Sequence, residues 1–424
     1  MTLKASKIVA GGKAKRRPRI ALPKWTPTLN GSHNLRRYAT LSGSESFVGR
    51  EPGALPPGYY MSRLRREEPD RPRLKLMPPD ETSISELLAR LAHEFKSRPF
   101  IPHRLLKQGD AQTIGAYLWP RRLRSGDRTG DEERFFDVEP GSQVLARCRW
   151  QPNRTERPTL VMWHGMEGST ASSYMLTTAR KMFGAGFNVV RVNFRNCGGT
   201  EHLSPTLYHG GLTNDLRVVI DELIARDGLS RLFVAGFSLG GNMVLKLAGE
   251  YGENPPAEVK AFCAISPAVD LRASTNLMAQ RRNWIYQQDF LRRLKNRIKV
   301  KEGLFPDRYD SSLLRDVRSV EQFDNRYIAP LFGFADANDY YAKASSLPYI
   351  SRIRLPTLIM HAQDDPFIPF APLRDPAIAA NPYVLLLAPE RGGHVAFVSA
   401  SNGEDRFWAE NRLVDFFRQM AGES

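Results

Sequence analysis

Cysteine is scarce in this sequence: Cys148, Cys197 and Cys263 are the three among 424 residues, widely spaced and odd in number. That excludes a disulfide framework and any closely spaced zinc pattern, and it suits a reducing compartment such as the cytoplasm. Long apolar runs are missing too. No stretch approaches the length of a membrane span, and the N-terminal region lacks the apolar core of a secretory signal. Acidic residues are absent before Glu45, whereas residues 1–44 carry ten of the 61 Lys and Arg. The net charge of +16 is therefore largely a property of this arm. Outside it no basic–aromatic module or recognised motif appears, which argues against a specific nucleic-acid binder.

What is present is the composition of a globular protein, 42% apolar and 25% charged, in a chain longer than one core usually needs. Residues 1–75, rich in Pro, Gly, Ser and Arg and without sustained periodicity, read as a disordered basic arm. The arm shares the acid-poor Arg/Ser content of an organelle transit peptide, yet its helical spacing is poor. A solvated tail with weak affinity for anions, including anionic membrane, is the expectation. Residues 76–424 are expected to form the folded domain.

That domain is organised around Gly236-Phe237-Ser238-Leu239-Gly240. Leu232-Phe233-Val234-Ala235 before it has a buried-strand pattern, and Met243, Leu247 and Tyr251 after it recur at helical spacing. Strand, G-x-S-x-G and helix are the context of a nucleophile elbow, whose sharp turn demands small residues two positions either side of the serine.

Taken in order, the folded part opens with a helix over 82–95, capped by Thr82 or Ser83 with Glu86 following. A hairpin over 134–150 turns at Pro140-Gly141. From residue 158 the pattern alternates: strands at 159–163, 187–192, 232–235 and 259–265, helices at about 172–185 and 213–226 and after Ser238. This alternation specifies an α/β fold, a mostly parallel central sheet flanked by helices. Residues 271–348 break the rhythm and read as a helical cap insertion, in which Trp284, Leu291, Leu294 and Ile298 share one face. Strands at 357–361 and 383–387 and a helix near 404–420 complete the chain.

A serine hydroxyl needs a base within hydrogen-bond reach and a carboxylate to orient that base. On a sheet of this kind both follow the serine in chain order, on loops after later strands. Beyond Ser238 only His361 and His394 remain, and His361 is at a strand end; His394, in a glycine loop after strand 383–387, is the candidate base. Asp364-Asp365-Pro366 follows the preceding strand. The spacing to Pro369 favours Asp365, with Asp364 left as a turn or capping residue. Two N–H donors must meet the developing oxyanion. Leu239 supplies one, and Met166, in the loop His164-Gly165-Met166-Glu167-Gly168, is the natural second. His164 reads as a structural histidine and Cys197 as a packed loop cysteine. Arg195 either holds a loop near the site, binds an acidic group or makes a surface salt bridge. The basic run from Arg281 to Lys301 reads as the wet face of an amphipathic helix.

From about Phe100 to the C-terminus the chain resembles the YheT-like branch of the α/β-hydrolase superfamily. The likeness is carried by His164 to Gly168, Arg195 to Gly199, Tyr208-His209-Gly210-Gly211, Gly236 to Gly241, Asp364-Asp365-Pro366 and Gly392-Gly393-His394. The resemblance implies a serine carboxylic-ester hydrolase with no metal or organic cofactor, its triad on Ser238, Asp365 and His394. The alternatives are a phospholipase or acylglycerol lipase working at a membrane surface, and a binding module on a hydrolase scaffold. Two departures bear on substrate preference: Gly109-Asp110-Ala111-Gln112-Thr113 stands where the family has Gly-His-x-Gln-Thr, and Asn196 replaces a customary glycine.

Overall fold

The computed structural model describes residues 81–119, 121, 131–400 and 403–422. The arm expected over residues 1–75 lies outside them. Helices α1 (Glu81–Ser97) and α2 (Gly109–Leu118) precede an antiparallel hairpin, β1 (Glu132–Glu139) and β2 (Ser142–Arg149). The alternating part then runs β3 (Thr159–Trp163), α3 (Ser173–Gly184), β4 (Asn188–Val192), α4 (Thr213–Ala225), β5 (Leu232–Phe237), α5 (Leu239–Tyr251) and β6 (Val259–Ile265). After β6 the chain leaves the sheet for α6 (Leu271–Met278) and α7 (Trp284–Leu304). It continues through α8 (Val320–Phe323), a π turn (Asp324–Ile328), α9 (Ala329–Phe332) and α10 (Ala337–Ala344). It returns as β7 (Thr357–Met360), α11 (Pro376–Ala379), β8 (Val384–Leu387) and α12 (Trp408–Ala421). Among the described residues no helix is long and apolar enough to cross a membrane.

The eight strands form one sheet in the order β1-β2-β4-β3-β5-β6-β7-β8, parallel from β4 to β8 and antiparallel where β1 and β2 join. Side chains alternate across it. Leu160, Met162, Phe233 and Ala235 face a layer built by α1, α3 and α12, whereas Val161, Trp163, Leu232 and Val234 face α4, α5 and the helices that follow β6. Burial on both faces is why these strands read in the sequence as unbroken apolar runs. The reversal of direction around β3 and β5 gathers the loops after β3, β5, β7 and β8 at the carboxyl edge of the sheet, where ligands bind in open α/β sheets.

Three local expectations change. Helix α1 begins at Glu81, so Thr82 and Ser83 lie in its first turn rather than capping it. Trp284 is 61% exposed while Leu291, Leu294 and Ile298 are buried, because α7 starts at Trp284 and its first turn projects beyond the packed face. Phe407 packs from the loop ahead of α12 rather than from the helix itself.

Candidate active site

Ser238 joins β5 to α5 with φ 55° and ψ −116°, backbone angles rarely adopted by a residue with a side chain. The turn closes so tightly that a Cβ on Gly236 would meet the Gly240 carbonyl oxygen at 2.2 Å, and one on Gly240 would meet the His164 oxygen at 2.5 Å. Ser238 holds the bend by donating its N–H to Ile265 (2.9 Å) and accepting the Asn242 N–H on its carbonyl (3.0 Å).

His394 lies on the loop after β8. Its Nε2 is 2.9 Å from Ser238 Oγ and its Nδ1 is 2.7 Å from Asp365 Oδ2. The structure thus brings together Ser238, Asp365 and His394 from three separate loops. The other Asp365 oxygen accepts the N–H groups of Phe367 (3.1 Å) and Ile368 (2.9 Å). Burial alone would raise the Asp365 pKa; His394 and these donors outweigh it, and the carboxyl titrates below its ordinary value. Asp364 takes a different position, accepting the Gly393 N–H at 2.9 Å. His361 is buried close to Asp365 and His394 but outside this chain of contacts, with Nε2 against the Ile368 carbonyl at 3.2 Å.

The loop after β3 abuts the serine: a Cβ on Gly165 would lie 3.0 Å from Ser238 Cβ. Gly165 N–H donates to the Tyr174 hydroxyl, Glu167 N–H to the Tyr208 hydroxyl, and Gly168 N–H to the Gly165 carbonyl. Among the described residues no partner is found for the Met166 N–H or the Leu239 N–H, and both residues line one cavity with Ser238. His164 braces this loop: Nδ1–H donates to the Gly165 carbonyl (2.7 Å) and Nε2 accepts from Phe194 N–H (3.1 Å). Burial pushes its pKa down to about 4, so the ring stays neutral.

Cys197 is fully buried and burial pushes its thiol up to about 12, which leaves no thiolate for nucleophilic attack. The Arg195 side chain does not lie on the surface. It is buried, forked onto Asp215 (2.7 and 2.5 Å) and bonded to Glu139 and Thr206, tying the loop after β4 to β1 and α4. Asn196 occupies its glycine-like position at φ 63°, a left-handed conformation that Asn tolerates better than most residues, and its amide donates to the Thr206 carbonyl at 2.6 Å.

Two groups went unassigned by sequence reasoning. Gln112 and Thr113 on α2 hold the His394 loop: Gln112 bonds both the N–H and the carbonyl of Val398, and Thr113 Oγ1 accepts the His394 N–H at 2.9 Å. The Gln112-Thr113 pair is the part of residues 109–113 that agrees with the family's Gly-His-x-Gln-Thr. Of the residues read as a wet face, Lys301 is buried and Arg297 is nearly so, its side chain 9% exposed. Arg297 forks onto Glu167 of the loop after β3 (3.1 and 2.9 Å), and Lys301 donates to the carbonyls of Glu201 and Ser204. Among the described residues no cluster of three His, Cys, Asp or Glu is arranged to hold a metal.

The family profile described as alpha/beta hydrolase fold matches residues 158–401. The chain is also 31% identical over 337 residues to YheT of Escherichia coli (strain K12), an alignment that spans 78% of this chain and 97% of that protein. The chain belongs to the YheT-like branch of the α/β-hydrolase family. This hydrolase is 32% identical over 271 residues to the monoacylglycerol lipase of Saccharomyces cerevisiae, covering 62% of this chain and 59% of the lipase. It is 27% identical over 243 residues to phospholipase ABHD3 of Mus musculus, covering 57% of this chain and 59% of that phospholipase. Against both, the hydrolase spans about three fifths of the relative's length.

Proposed function

We propose that this hydrolase cleaves carboxylic esters in two acyl-transfer steps, with residues 271–348 as its cap. Ser238 Oγ attacks the ester carbonyl carbon while His394 Nε2 takes the hydroxyl proton. The carbonyl oxygen becomes an oxyanion between the N–H groups of Met166 and Leu239. The carbon–oxygen bond to the alcohol then breaks, and the imidazolium returns its proton to the departing oxygen. Water repeats the sequence: His394 takes its proton, the hydroxide oxygen bonds to the acyl carbon, and the acyl–Oγ bond breaks with the proton passing back to Ser238. Asp365 fixes the Nδ1–H tautomer of His394 and stabilises the imidazolium.

The observation carrying this reading is the continuous pair of contacts from Ser238 Oγ through His394 to Asp365, at 2.9 and 2.7 Å. A fluorophosphonate probe should label the wild-type hydrolase, fail on Ser238→Ala and label His394→Ala at a small fraction of the wild-type rate. Undiminished labelling of Ser238→Ala overturns the assignment.

A second reading, lipid esters taken from a membrane surface, has its own observation. Trp284 and Ile285 are 61% and 71% exposed at the start of α7, beside the exposed Arg281 and Arg282. The next residue, Tyr286, donates to Asp110 (2.9 Å) and packs on Phe367, whose ring centre is 4.2 Å from that of His394. The apolar and basic patch thus borders the site, and the relatives named as lipase and phospholipase fit it. Anionic vesicles should accelerate long-chain ester hydrolysis by the wild type and not by the pair Trp284→Ser with Ile285→Ser. Equal vesicle response in both proteins removes this reading.

A further inference from the structure

The cavity that contains Ser238 continues under the cap, is partly open to solvent and has a volume of about 90 Å³. Most of its wall is what an ester's hydrocarbon chain requires, with Leu271, Leu294, Ile328 and Phe367 among its side chains. One part of the wall is different. Asp324, the first residue of the π turn, faces this cavity together with Tyr341 and Thr275. A carboxyl group in such a wall calls for an explanation, because burying it without partners is costly.

Its neighbours do not supply one. Among the described residues the carboxyl of Asp324 has one hydrogen-bond donor, the Tyr341 hydroxyl, 2.5 Å from Oδ2. Arg272, whose charge acts on Asp324 without an ion pair to it, donates instead to Glu321 (2.9 Å) and to Asn338, and its guanidinium stacks 4.7 Å over the Tyr341 ring. Oδ1 is therefore left for whatever occupies the cavity. The backbone is also unusual here, since π turns are rare and single ones inside helices are frequent at functional sites. This one interrupts the helix from α8 to α9 where Asp324 meets the cavity.

We propose that the cap end of the cavity is a hydroxyl-binding subsite, in which Asp324 and Tyr341 bind a hydroxyl group carried on the substrate away from the scissile ester. A hydroxyl suits the site better than an ammonium. It donates to a carboxylate and equally accepts from a protonated acid, and burial raises the Asp324 pKa to about 7, so both forms are populated near neutrality. The inference rests on Ser238 being the nucleophile, since that serine lines the same cavity. The substrates it favours are esters whose chain is apolar near the carbonyl and hydroxylated further along.

The test uses the purified full chain and two matched series of 4-nitrophenyl esters, one of plain fatty acids and one of the same acids bearing a terminal hydroxyl. The quantity read is the ratio of kcat/KM, hydroxylated over plain, at each chain length. This ratio is taken within one protein sample, so partial misfolding of a variant cancels. The expected wild-type ratio peaks at one length, at about tenfold or more, as for a hydrogen bond to a charged group. The peak should vanish in Asp324→Val and shrink in Asp324→Asn and Tyr341→Phe. A ratio without a peak in the wild type, or a peak that survives Asp324→Val, overturns the subsite. Binding of 1,ω-alkanediols and of plain alkanols to Ser238→Ala, followed by calorimetry, reads the same preference with no chemistry. Equal affinities there also overturn it. Turnover that persists in Ser238→Ala while the ratio still peaks would sink the serine mechanism and leave the subsite standing.

Discussion

His394 is held by its backbone as firmly as by its ring. Its N–H ends on Thr113, the preceding N–H ends on Asp364, and the following one, at Val395, ends on Ser266. The loop needs this anchorage because Val395 and Phe397 sit at φ 53° and 43°, conformations that side chains resist. Thr113→Val keeps the shape and removes the acceptor. The expected result is a fall in kcat of about tenfold with little change in KM, since small displacements of a reacting group are costly. Thr113→Ser should restore most of it, and equal loss in both variants would deny the hydroxyl this role. At this scale the sequence was informative where chemistry restricts residue type. A serine between glycines, and a histidine and an aspartate in order behind it, have few substitutes. Thr113 was not legible as an anchor, because any backbone could have met it and only the fold decides which one does.

Helix α7 shows how an element resists reading. From Leu291 to Lys301 its sequence carries basic residues at six of the eight positions outside the stripe of Leu291, Leu294 and Ile298, which is the pattern of a solvated face. Lys301 continues that stripe one turn later, and a lysine there says nothing of the carbonyls of Glu201 and Ser204 that receive it. Arg297 is paired across 130 residues with Glu167, which follows Met166 and stands at φ 58°. The ion pair therefore fastens α7 to the loop that carries a proposed oxyanion donor. Removing one partner of a buried pair costs about 3–5 kcal/mol, whereas removing both costs much less. Arg297→Met should lower both Tm and kcat. Adding Glu167→Gln should return much of the Tm and little of the kcat, because α7 still lacks its tie to the loop. Recovery of both together would mean that the pair serves stability alone.

Across the whole molecule the parallel core was legible, since alternating strands and helices of this length admit few arrangements. The sheet order and the layout of the helices between β6 and β7 were not, because they depend on contacts far apart in the chain. The same burial that hid these contacts gives the fold an acid response with two opposing parts. Burial pushes the His209 pKa down to about 3, among the rings of Phe332, Phe334 and Tyr340, and the His164 pKa down to about 4. Unfolded histidine binds its proton near pH 6.5, so below that value the unfolded chain holds more protons and each buried ring makes stability fall as pH falls. Asp324 works the other way. Burial, with Glu321 adding to it, lifts its pKa to about 7, so between about pH 4 and 7 the folded chain holds the extra proton and stability rises as pH falls. Each group contributes at most about 1.4 kcal/mol per pH unit within its window. Urea unfolding followed from pH 4.5 to 8 separates them. Asp324→Asn should gain stability over the wild type as pH rises through that range, making the loss in acid steeper. His209→Gln should lose less than the wild type in acid, making its curve flatter. Two variants departing from the wild-type curve in opposite senses would locate the response in these buried groups. Curves that run parallel to it would place the response in other titrating residues.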